Sequence, residues 1–174
     1  MAGITIIRII RQNIMIRLFP VFFVFFLIIS CSNSENAPTM PSLIDNFYDR
    51  KQILVSLSDY CSMESSIRSI GVSGEVKYFK DSSTKVTDGI REKASRLLAG
   101  IDGEKLTCFR TGSLSQGELT SVRISVYSSG LGVSGVLMGY GLDYVNGPFT
   151  DILFSSGERV LIDSDEKWYV FKIE

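Results

Sequence analysis

Apolar residues recur at two different spacings along this chain, and the switch between them divides it. Ser42 with Asp45 three residues on suggests a capping pair for a helix across Leu43 to about Tyr60, with Leu43, Phe47, Leu54 and Leu57 on its apolar face. A short strand is predicted over Glu75 to Lys80, where Val76 and Tyr78 alternate with charged neighbours. Val86, Ile90, Ala94, Leu97, Leu98 and Ile101 then return every three or four residues until Gly100 and Gly103, which predicts a second helix. From Lys105 onward the period is two. Leu106 and Cys108 form one stripe, Val122, Ile124 and Val126 the next, and Val136, Met138, Tyr140, Leu142 and Tyr144 a longer one. Strands over Arg159–Ile162 and Lys167–Ile173 flank a polar turn, Asp163 to Glu166. Helices first and strands afterwards predict an α+β fold, with one or two N-terminal helices packed on an antiparallel sheet of five to six strands.

The first thirty residues follow neither period. Arg8, Arg11 and Arg17 precede Leu18 to Ser30, thirteen residues without a charge, and a cysteine follows. A basic region, an apolar run and a small-residue junction form the layout of a secretory signal. A membrane-spanning helix needs about 20 apolar residues, so cleavage is expected, with a retained signal-anchor as the alternative. Ile28-Ile29-Ser30-Cys31 resembles the lipobox of bacterial lipoproteins. That resemblance implies lipidation of Cys31, removal of residues 1–30, acylation (palmitate) of the new amino terminus, and an envelope location on a membrane, the outer membrane or its periplasmic face in a Gram-negative cell. Residues 31–41 are polar and contain two prolines, as a tether would, and 42–174 are expected to form one domain.

Charge and composition narrow the partners. Residues 1–30 hold three arginines and no acid, leaving 15 basic against 19 acidic residues in the remainder. A mildly acidic domain is poorly suited to nucleic acid. The chain has no histidine, which excludes Ser-His-Asp and Cys-His catalysis and histidine-ligated metals. With Cys31 assigned to lipid, Cys61 and Cys108 remain as a candidate disulfide, two buried free thiols being the alternative.

Other constellations point to structure. Gly130, Gly132 and Gly135 match a phosphate-binding glycine pattern, but period-two residues follow where a helix would be needed, which predicts a strand-to-strand hairpin. Asp163, Asp165 and Glu166 lack the glycine and distant glutamate of a calcium loop. Ser134 lacks a nucleophile-elbow frame, and Asp59, Glu64, Asp143 and Asp151 are scattered. No catalytic residue, metal or cofactor is therefore assigned. Tyr127, Tyr140, Tyr144 and Trp168 either fill the core or form an aromatic binding surface.

The stretch Ser128 to Tyr140, with Lys167 to Lys172 about thirty residues later, resembles a pattern in small bacterial exported proteins and lipoproteins that have no assigned activity. The resemblance implies two helices before the same sheet segment and transfers no site. The expected function is a membrane-tethered, non-enzymatic binding module whose partner is an envelope protein or small ligand. A histidine-independent enzyme using carboxylates or a Lys/Ser pair, and a carrier of a small apolar ligand, are the alternatives.

Overall fold

The computed structural model describes residues 37–130, 135–144 and 157–174. The expectations for residues 1–36, including Cys31, lie outside them, as do those for Gly132, Ser134 and Asp151. Three helices and seven strands are described: α1 (Met40–Asp45), α2 (Phe47–Met63), β1 (Ile67–Gly71), β2 (Val76–Tyr78), α3 (Asp88–Ala99), β3 (Lys105–Arg110), β4 (Leu119–Ser129), β5 (Val136–Asp143), β6 (Gly157–Asp163) and β7 (Trp168–Ile173). The strands form one antiparallel sheet in the order β2-β1-β3-β4-β5-β7-β6. The α+β class stands, with seven strands rather than five or six.

Local chemistry starts the helices. Thr39, not Ser42, caps α1: its hydroxyl accepts the Ser42 amide at 3.2 Å, while the Thr39 amide donates to Ser42 Oγ at 3.0 Å. This reciprocal pair satisfies two amides that a helix start leaves without partners. Asn46 separates α1 from α2, so the expected single helix is two, yet Leu43, Phe47, Leu54 and Leu57 are all buried on one side. In α3, Ala94 and Leu98 face inward and Gly100 stands at the C-cap.

Cross-strand register sorts the sheet into two faces, because neighbouring strands keep directly opposed residues on the same side. One row runs Cys108, Val122, Leu142, Trp168, and the next runs Leu106, Ile124, Tyr140, Val170. All eight belong to the core that the helices close. Phe47 of α2 packs between the two rows, its ring centroid 5.9 Å from Trp168 and 6.2 Å from Tyr140. The Tyr140 hydroxyl donates to the Leu43 carbonyl at 3.1 Å, joining β5 to α1.

The opposite face carries Arg123, Gly141 and Tyr169 in one row and Ser125, Gly139, Phe171 and Arg159 in the next. A Cβ on Gly141 would stand 2.1 Å from Tyr169 Cζ, so the tyrosine ring lies against the β5 backbone where only glycine fits. Gly141→Ala is therefore expected to destabilise by about 1–3 kcal/mol, since the fully buried Tyr169 ring must shift. A urea midpoint equal to that of the parent would show that the ring moves freely.

Candidate functional site

The Cys61–Cys108 disulfide forms, with its Cα atoms 5.5 Å apart, and it ties the last turns of α2 to the middle of β3. Three loops meet beside that tie. They are Met63–Ser66 between α2 and β1, Asp81–Thr84 after β2, and Ser115–Gln116 after a short 3-10 turn at Thr111–Ser113. Between them lies a cleft of about 250 Å³.

Hydrogen bonds hold the three loops in place. Asp81 Oδ1 accepts the Ser115 amide at 2.9 Å, and Oδ2 accepts the Ser115 hydroxyl at 2.8 Å. The Ser115 amide, and to a lesser degree its hydroxyl, keep the Asp81 carboxyl below the ordinary aspartate range against the opposing effect of desolvation. The Phe79 amide donates to the Ser66 carbonyl at 3.1 Å, and the Ser82 amide donates to Phe79 at 3.1 Å. Arg110 donates to the Gly117 carbonyl at 2.9 Å and also to the Cys61 carbonyl, bracing the floor from β3.

The walls are hydroxyls and an amide (Ser65, Ser66, Ser82, Thr84, Gln116), with the carboxylates of Glu64 and Asp81. Among the described residues, no lysine or arginine lines the cleft. Ser66 is only 5 % exposed, and its Oγ has no hydrogen-bond partner among the described residues. A buried hydroxyl without a partner is uncommon in a native fold and calls for an explanation.

A second cluster occupies the sheet face away from the helices. The guanidinium of Arg123, a residue 6 % exposed, lies 4.9 Å from the Phe109 ring centroid and 5.6 Å from that of Phe171. Arg159 stacks 3.9 Å from the Tyr169 centroid and pairs with Asp143 at 2.6 Å. Burial pushes the Asp143 carboxyl above its usual value, more than the neighbouring Arg159 pulls it down. Burial likewise raises the Tyr169 phenol. Each charge in this cluster faces an opposite charge or a ring, the arrangement that makes buried ions tolerable.

The aromatic surface considered from the sequence does not assemble. Tyr140 and Trp168 are 0 % and 1 % exposed, held in the core by Phe47, because the core row to which each belongs faces the helices. Tyr127 is half-buried against the same core, and Tyr144 alone of the four is exposed. Gly130 follows β4 with φ of +84°, and Ser129 pairs with Val136 of the antiparallel β5, so the described residues on both sides of 131–134 are strand and not helix.

The acidic turn serves the fold too. Asp163 Oδ1 accepts the Asp165 and Glu166 amides at 3.1 and 3.0 Å, while Lys51 of α2 bonds Asp163 and Glu166 at 2.9 and 3.0 Å. Among the described residues, no group of three histidine, cysteine, aspartate or glutamate side chains could hold a metal ion.

Sequence reasoning passed over the cleft. Its residues come from three short polar segments that each read as an ordinary loop. The one available signal was the repeated clustering of hydroxyl residues, Ser65-Ser66 and Ser82-Ser83-Thr84, both inside the stretch that Cys61 and Cys108 bracket. No family model matches the chain, and neither a curated protein nor a solved structure does.

Proposed function

We propose that the protein is an exported lipoprotein, anchored through Cys31, whose domain is a non-catalytic binding module in the cell envelope. The Cys61–Cys108 disulfide is the observation that carries this reading, since such bridges persist in oxidising compartments and are rare in the cytosol. It agrees with the basic, apolar and small-residue layout that ends at Cys31. Two acyl chains are what stable membrane attachment requires, and the lipobox modification would add them at that residue.

Binding rather than catalysis is supported by how the acids are used. A catalytic carboxylate needs a free oxygen facing its substrate. Both oxygens of Asp163 are taken by two amides and Lys51, and both of Asp81 by Ser115, while Asp143 is buried and paired through Oδ2 with Arg159. The chain also lacks histidine, the commonest acid–base group. Two clefts among the described residues are lined mostly by polar and charged side chains, unlike the apolar walls that a carrier for an apolar ligand would use.

Expression of the full chain in a bacterial host with labelled palmitate tests the anchor. The wild type is expected to take up label and sediment with membranes, and Cys31→Ala to do neither. An intact amino-terminal methionine and an unmodified Cys31 sulfur, read by mass spectrometry, would refute the proposal.

A further inference from the structure

The cleft beside the disulfide has a shape and chemistry that define its ligand. We propose that it binds a neutral monosaccharide, a hexose or N-acetylhexosamine, through its serine hydroxyls and the Gln116 amide. The proposal rests on the binding-module reading and names the ligand class of that module.

Charge removes the first alternative. Glu64 and Asp81 line the cleft and, among the described residues, no cationic side chain does, so an anion would meet two carboxylates with no opposite charge to offset them. Polarity removes the second. Among the described residues Met63 contributes the one large apolar side chain, and an apolar ligand would strip water from the surrounding hydroxyls without replacing its hydrogen bonds. A metal ion is disfavoured because the oxygens of Asp81 already accept the amide and hydroxyl of Ser115.

A sugar matches what remains. Each sugar hydroxyl both donates and accepts, and the lining supplies serine and threonine hydroxyls, an amide with both functions, and accepting carboxylate oxygens. At about 250 Å³ the cleft is smaller than the roughly 300–1,000 Å³ range of drug-sized pockets, which suits a single ring. Its walls are preorganised: the disulfide, Arg110 and the Asp81–Ser115 bonds fix all three loops before any ligand arrives.

Ser66 is the second and independent observation. It lines the cleft at 5 % exposure, and its Oγ has no partner. Rotation about one side-chain bond is all that separates a serine hydroxyl's staggered positions, so a ligand hydroxyl in the cleft would supply the missing bond. A hydroxyl kept in that state at a cost to the fold is what a recognition group looks like.

Saturation-transfer NMR on the full chain in detergent micelles tests this, with glucose and N-acetylglucosamine as probes and inorganic phosphate as the anionic control. The wild type is expected to bind at least one of the sugars and to ignore phosphate. Ser66→Ala and Gln116→Ala are each expected to weaken sugar binding tenfold or more. Ser66→Ala should also keep or raise the thermal midpoint, because alanine removes a hydroxyl that has no partner. No transfer to either sugar overturns the proposal, as does wild-type affinity in both variants. Should Ser66→Ala misfold, the exposed Gln116→Ala decides alone. Palmitate labelling is a separate measurement, so a lipidated chain that ignores sugar defeats only this inference, and an unlipidated chain that binds sugar defeats only the anchor.

Discussion

Replacing Cys61 and Cys108 together with alanine is expected to destabilise the domain by about 4 kcal/mol and to lower its thermal midpoint by roughly 10–15 °C. The bridge spans a sequence separation of 47 residues, and on the chain-entropy account a loop of that length gives the unfolded chain much freedom that the cross-link removes. Both sulfurs lie in the core, so the alanine pair also loses packing between α2 and β3. Urea titration of the oxidised wild type, the reduced wild type and the double variant measures the effect. The reduced protein should resemble the variant. Identical midpoints with and without reductant would mean that the two thiols do not bridge in the native protein.

Arg159→Ala is expected to cost about 3 kcal/mol at neutral pH. The variant removes the 2.6 Å ion pair from Asp143, a residue only 7 % exposed, and uncovers one side of the Tyr169 ring. The pH dependence separates charge from packing. Burial raises the Asp143 pKa in the folded state, so folding favours the protonated carboxyl. Its contribution to stability is fully present below the unfolded pKa and is lost as pH rises through the folded one. Without Arg159 the folded pKa climbs further, and the deficit of the variant grows from acid toward neutral pH. In an Asp143→Asn background the same arginine substitution should cost much less. A deficit constant with pH, and unchanged in that background, would assign the whole effect to the contact with Tyr169.

Asp81 and Asp163 work in the opposite direction. Their pKa values are lowered, foremost by the backbone amides of Ser115 and Glu166 respectively, so what they contribute is present above the unfolded aspartate pKa and fades as pH falls. Acid therefore loosens the Asp81–Ser115 clasp of the cleft and the Asp163 turn while relieving the buried Asp143.

Much of the fold was legible along the chain. The period-two stripes of β3, β4 and β5 contain the buried Leu106, Cys108, Val122, Ile124, Met138, Tyr140 and Leu142, because a strand with one face buried by helices must alternate, whereas Tyr144 at the end of its stripe lies beyond β5 and is exposed. The second helix was legible from its three-and-four spacing, and Ala94 and Leu98 are its buried residues. Strand β1 was missed. Ile67-Arg-Ser-Ile-Gly lies between two other strands, and four of its five positions are buried, Ser69 and Gly71 among them. Burial on both faces removes the polar contrast that marks a strand in sequence. The division at Asn46 was also missed, since the apolar face runs past it unbroken and only backbone hydrogen bonding registers the change.

The disulfide was inferred by counting, because two cysteines remain once Cys31 is set aside, and the fold brings those two together. Period and count act locally or pairwise, so one chain read alone determined the α+β class, the apolar stripes of β3 to β5, and Cys61 with Cys108 as a candidate pair. Which aromatic rings face the helices was decided by the sheet: register placed Tyr140 and Trp168 beneath Phe47 and sent Tyr169 to the other side. The cleft, too, exists only in three dimensions. Ser66, Asp81 and Ser115 are separated by long stretches of chain and share no period, and they meet because β1, β2 and β3 are neighbours in the sheet and the disulfide holds α2 against it.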